Sequence, residues 1–163
     1  MLKRVKNTKI GDVFCAKIDD NHKKYLQYIV SDLTQLNSDV IRAFKKVYPI
    51  NVNPDLSEIV NGDVDFYAHC VTKAGIKRGL WDTVGNIQDI GSIEHIIFKD
   101  KEDFKRLDIQ NDWRVWRINE EYEHVGELKG QNKKAYLGLV FQPNDIVHKL
   151  TTGSHVGIFA KWE

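Results

Sequence analysis

Along residues 10–18 apolar and polar positions alternate loosely. Ile10, Asp12, Phe14, Ala16 and Ile18 fall on one side of an extended chain, and Gly11, Val13 and Cys15 on the other. Asp19, Asp20 and Asn21 follow; their short side chains bond nearby backbone and tolerate left-handed geometry, so a turn is expected. Residues 25–30 are aromatic and β-branched and read as the returning strand of a hairpin. Residues 40–48 form a third strand, stopped by Pro49, and residues 51–61 a loop with one helical turn at 57–60. Residues 63–72 make a fourth strand with apolar residues on both faces. Gly75, Gly79, Gly85 and Gly91 then mark turns between short strands. Further strands are expected at 93–98, 113–118 and 135–141, with a short charged helix at 101–107. Asn144 reads as an N-cap with Asp145 in the first turn, opening a helix that runs to about Thr152 and stops at Gly153. Residues 156–162 close the chain as a last strand.

Short strands with two or three short helices, and no repeat, low-complexity run or linker, predict an α+β fold. The expected architecture is a curled, mostly antiparallel sheet or partial barrel. The 163 residues fit a single domain spanning 1–163, since chains divide into units of roughly 100–200 residues. Such a domain buries enough surface to need no disulfide or metal staple. Cys15 and Cys70 are too few for a disulfide framework and read as two separate thiols. The N-terminal MLKRVKNTKIGDVF is basic, but no apolar stretch of signal-peptide or membrane-span length follows, so a soluble, cytoplasmic protein is expected.

Charge narrows the function classes. The 24 basic and 23 acidic residues leave a formal net charge of +1, without the basic excess that drives phosphate binding. The stretch NDWRVWRIN nevertheless sets two tryptophans and two arginines within five positions. On a strand, Trp113, Val115 and Arg117 point one way and Arg114, Trp116 and Ile118 the other. That pattern suits a central strand whose arginines lie over aromatic rings. It also suits a recognition surface, because Trp and Arg are enriched at binding hot spots, or a stacking platform for single-stranded nucleic acid. GLWDTVGN sets Trp81 and Asp82 between two glycines, either as a core plug with a turn bond or as a partner contact. NEEYEHVGE crowds Glu120, Glu121, Glu123 and Glu127 around Tyr122, as a solvated loop or as a patch for a basic partner.

Catalytic and metal patterns are weak. Asp63 and Asp65 share a strand face, but no third group accompanies them. The six histidines, His22, His69, His95, His124, His148 and His155, form no HExxH pattern, and His69 and Cys70 point to opposite faces. GSHVG around His155 places serine second, where a nucleophile elbow needs it central. Neither a Walker loop nor a dinucleotide fingerprint is present. No metal, cofactor or catalytic residue is expected.

The run TKIGDVFCAKIDD, followed by YLQYIV, resembles the opening of a bacterial family, Immunity protein 26, whose members accompany polymorphic toxins. The correspondence lies in Gly11, Asp12 and Phe14, then Asp19 and Asp20, then residues 25–30; Leu26-Gln27-Tyr28 lacks the glycine such sequences tend to carry there. The resemblance implies a small α+β domain that binds a cognate toxin and occludes its active site, without enzymatic chemistry. The partner-facing residues expected on this reading are Glu120, Glu121, Tyr122 and Glu123, with Trp116 and Arg114 as anchors and Trp81 and Asp82 as a further pair. Alternatives are a nucleic-acid-binding module on residues 113–117 and a hydrolase using Asp63, Asp65 or His155.

Overall fold

The expected hairpin is present. β1 (Asp12–Lys17) pairs antiparallel with β2 (His22–Asp32), with Phe14 opposite Leu26. Asp19 closes the turn, its carboxylate accepting the backbone N–H groups of Asn21 and His22 at 2.7 and 2.8 Å. The structure, a computed structural model, describes residues 5–106 and 108–163. Residues 1–4 of the basic N-terminal run and Leu107, in the charged segment expected to be helical, lie outside the described residues.

Beyond the hairpin come β3 (Ser38–Phe44), β4 (Tyr48–Pro49), α1 (Leu56–Val60), β5 (Val64–Cys70), α2 (Thr72–Lys77) and β6 (Asp82–Asn86). Then follow β7 (Ile97–Lys101), β8 (Trp113–Arg117), β9 (Glu123–Gly126), β10 (Tyr136–Leu137), β11 (Val140–Phe141) and α3 (Pro143–Thr152). Two 3₁₀ turns, Gly130–Lys134 and Gly157–Lys161, complete the described elements. The strands form a seven-stranded sheet in the order β11-β5-β3-β2-β1-β6, with β4 on β2, and a four-stranded sheet in the order β10-β7-β8-β9. Pairing is antiparallel except for β11 on β5 and β10 on β7. The fold is therefore α+β, and its two sheets curl without closing.

Both faces of the large sheet are covered, which is why its strands are apolar on both sides. Phe14, Leu26, Ile41, Phe66 and Ala68 pack against Trp81, Phe141, Ile146 and Leu150, the side carrying α3. On the opposite face Ile29, Val40 and Tyr67 meet Phe98, Trp116 and Ile118 of the small sheet. Farther along the strands, Val13, Tyr25 and Phe44 meet Ile59 and Val60 of α1. Cys15 and Cys70 are both free. No described helix is long and apolar enough to cross a membrane.

Five local expectations are corrected. Residues 135–141 are not one strand. They break at Gly138 into β10 and β11, which belong to different sheets. A Cβ at Gly138 would sit 2.0 Å from the Trp116 ring, so only glycine lets the chain cross there. The glycine-marked region contains helix α2, because Gly75 gives its Cβ space to the Trp81 indole, again 2.0 Å away. The segment after β7 is turns, not helix, over its described residues. The buried Lys101 ammonium draws in the Arg106 and Ile109 carbonyls and pairs with Asp112, taking up acceptors that a helix would have used internally. α3 starts two residues earlier than expected, with Gln142 as its N-cap and Pro143 as its first residue, while Asn144 accepts from Arg78. Its end at Gly153, φ +84°, is as expected. Residues 157–161 are a 3₁₀ turn, not a strand. That geometry lets Phe159 and Trp162, three apart, both face Phe104, Trp113 and Phe141; a strand would have split them.

Candidate partner-binding surface

The acidic cluster lies on the turn between β8 and β9, and the fold brings a second turn, between β2 and β3, against it. Asp32, at the end of β2, joins the two. Its fully buried carboxylate accepts from His69 Nε2 at 2.9 Å, from Trp116 Nε1 at 3.0 Å and from the Asn119 backbone N–H at 3.1 Å, with a longer contact from the Gln35 N–H at 3.4 Å. Burial alone would raise this carboxyl, but the donors from His69, Trp116 and Asn119 outweigh it and hold it below the ordinary aspartate range. Two further bonds lace the turns together: the Leu33 N–H donates to Asn119 Oδ1 at 2.7 Å, and Gln35 Nε2 donates to Glu121 Oε2 at 3.3 Å.

The result is an exposed apolar pair on a turn laced to the acidic turn. Leu33 is 68% exposed and Leu36 39%, while Glu120, Glu121, Tyr122 and Glu123 are all exposed beside them. Arg114 does not reach out as an anchor. It grips Asp100 with two bonds of 2.8 and 2.9 Å and lies 5.0 Å over the Tyr122 ring, so it braces the tyrosine from behind. Arg117 donates to the Glu94 carbonyl. Glu120, Glu121, Glu123, Arg117 and Asn132 line a small cleft of about 160 Å³ above Trp116.

Trp116 itself is 4% exposed. Its place as a surface anchor is corrected to one beneath the surface, where it holds Asp32. Trp81 is 1% exposed, donates from Nε1 to the Thr72 carbonyl at 3.0 Å and packs on Phe14; it too is interior. Asp82 is exposed, but on the β6 edge opposite Cys15. Among the described residues no hydrogen bond, ion pair or ring contact links it to residues 114–123. The nucleic-acid alternative loses its platform: Trp113 and Trp116 are buried and Arg114 is committed to Asp100.

The hydrolase alternative finds partial convergence. Asp65 and His155 line one cavity of about 170 Å³ with Lys149 and Glu163. Asp65 is paired with Lys24 at 3.1 Å, however, and His155 stacks on Phe141 at 4.2 Å with its Nδ1 buried and unpartnered. Neither orients the other, and Asp63 lies outside the cavity lining. Among the described residues no group of three or more histidine, cysteine, aspartate or glutamate side chains is arranged to hold a metal ion.

Leu33, Leu36, Asp32 and Asn119 escaped the reading of the sequence. The available signal was SDLTQLNSD, where two leucines sit in an otherwise polar turn. A family model described as Immunity protein 26 matches residues 9–113, more than half of the chain, and the chain belongs to that family. No curated protein and no solved structure matches it.

Proposed function

We propose that this member of the Immunity protein 26 family neutralises a cognate toxin in the bacterial cytoplasm by docking its paired turns over the toxin's active cleft. The surface joining Leu33, Leu36 and Tyr122 to Glu120, Glu121 and Glu123 supplies the contact, and exclusion of substrate supplies the inhibition. No bond-making by the immunity protein is involved. The observation that carries this reading is the exposed apolar pair on a turn joined to the acidic turn, the two held together through the buried Asp32. A specific interface buries about 800 Å² on each partner, roughly a tenth of this molecule's 9322 Å² surface, which one end of the domain can provide. The acidic turn favours a toxin with a basic cleft, since complementary potentials steer encounter and reject wrong partners.

Co-expression with the toxin encoded beside it tests the proposal. Growth is rescued and the two proteins co-elute from a sizing column. A Leu33→Asp, Glu121→Lys double variant, altered only at exposed positions, loses both effects while keeping its thermal midpoint. Full rescue by that variant would place the toxin contact elsewhere on the molecule.

A further inference from the structure

At the Trp113 end of β8, opposite the acidic turn, lies a cavity of about 340 Å³. Two residues that line it, Lys99 and Trp162, carry hydrogen-bond donors without an acceptor among the described residues. Lys99 is 3% exposed, and among the described residues its Nζ makes no hydrogen bond or ion pair; it lies 5.5 Å from the centre of the Trp113 ring. Trp162 is 8% exposed, and its Nε1–H is buried without a partner. A protein rarely leaves a buried donor such as the Trp162 Nε1–H unmatched, because an unsatisfied buried donor is destabilising, while the Lys99 ammonium faces the cavity without a protein partner. These residues come from different elements, β7 and the C-terminal turn, yet face the same cavity. Exposed Lys133 and Lys161 stand at its rim.

The cavity also contains two carboxylates, and both are engaged elsewhere. Glu127 lies 3.7 Å from Lys129. Glu163 accepts from Lys149 Nζ and, at 2.7 Å, from the His155 N–H. We propose that this cavity binds a small oxyanion, a carboxylate or a phosphate, through Lys99 Nζ beside the Trp162 indole, with Lys133 and Lys161 drawing the anion in. The chemistry fits: an ammonium donates to oxygen, and charge-assisted bonds of this kind are the strong ones. The indole rings of Trp113 and Trp162, 5.3 Å apart edge to face, form an apolar wall, and a lower local dielectric beside it strengthens electrostatic attraction. Burial depresses the Lys99 ammonium, with Glu163 partly opposing it, and a bound anion would relieve that depression.

The test uses the full chain with ¹⁵N-labelled indoles, titrated near neutral pH and at constant ionic strength with inorganic phosphate and, separately, acetate. The four tryptophans give four indole N–H signals, and the one missing from Trp162→Phe identifies the reporter. That signal shifts saturably with one or both anions, and which anion acts decides between phosphate and carboxylate. Lys99→Met weakens the binding about tenfold or more, with the other three indole signals confirming the fold. If Lys99→Met does not fold, the exposed pair Lys133→Ser and Lys161→Ser serves instead, and the apparent affinity falls several-fold. The proposal is overturned by a Trp162 signal that never saturates with either anion, or by a response that neither set of substitutions changes.

Discussion

Replacing Asp32 by asparagine keeps the side chain's size and removes its charge. In the wild type, Oδ2 receives the His69 and Trp116 donors and Oδ1 the Asn119 N–H, with the Gln35 N–H more distant. Asparagine retains a single oxygen, so in either orientation its amide NH₂ faces N–H donors. With the amide toward His69 and Trp116, two buried donors lose their acceptor. With the amide toward Asn119, the turn that carries the acidic cluster is released. An unsatisfied buried donor costs about 1–3 kcal/mol, and hydrogen bonds to a charged acceptor lie at the upper end of such costs. For two such donors a loss of about 3–5 kcal/mol is therefore expected, a large fraction of the ~5–15 kcal/mol that holds a domain together.

Urea unfolding followed by tryptophan emission measures that loss, and a toxin-binding titration on the same samples asks whether the surface loosens. The pH dependence supplies a second check. The folded Asp32 pKa lies below its unfolded value, so the carboxylate's stabilisation is present above about pH 4 and fades as the pH falls through the lower folded value. The gap between wild type and Asp32→Asn must narrow in strong acid. A loss below ~1 kcal/mol near neutral pH, together with unchanged toxin affinity, would refute the role given to Asp32.

Burial pushes the His155 pKa down to about 4, with Lys149 and His148 adding to the shift and Glu163 opposing it. The unfolded chain takes up this proton near pH 6.5, so stability falls as the pH drops from about 6.5 to 4, by roughly 3 kcal/mol in total. His155→Phe, which preserves the stack on Phe141, should flatten the urea midpoint across that window. Gly138→Ala would force a Cβ to within 2.0 Å of the Trp116 ring and should destabilise by about 1–3 kcal/mol, read as a lowered midpoint with unchanged m-value. Converting Glu120, Glu121 and Glu123 together to glutamine should slow toxin association about tenfold or more at low salt, with the difference closing as ionic strength rises and the unfolding midpoint nearly unmoved.

The fold class was legible because alternation and turn chemistry are local. Asp19 and Gly153 act where their residue types indicated, and the β1–β2 hairpin follows directly. The misreadings share one physical origin, namely tertiary partners that no local window contains. Gly75 sits inside a helix because Trp81 occupies the space of its missing side chain, and Gly138 divides a strand because Trp116 does the same. The charged segment after β7 supplies carbonyls to the buried Lys101 ammonium, and its described residues form turns in place of a helix. The acidic half of the candidate surface could be read from its composition. The Leu33 and Leu36 half could not, since only the meeting of two distant turns shows that those leucines have company.

That meeting explains why a charge is buried under a surface made of turns. Turns that order themselves on docking lose about 0.5–1.5 kcal/mol for each immobilised side chain, and these turns also hold Leu36, Asn37 and Asn119 in left-handed geometry, at φ of +61°, +44° and +61°. Asp32 settles that ordering before any partner arrives, because one carboxylate holds the backbone of the β8–β9 turn and, through Asn119, the N–H of Leu33. The same carboxylate holds His69 of β5 and Trp116 of β8, so the geometry of the surface is tied to the packing of one sheet on the other. Strain introduced at Gly138 must pass through Trp116 to Asp32 and from there to both turns. Gly138→Ala should therefore weaken toxin binding without altering a single exposed residue, whereas an equally destabilising change among the α1 contacts of Ile59 and Val60 should lower the unfolding midpoint and leave the toxin affinity of the folded protein intact.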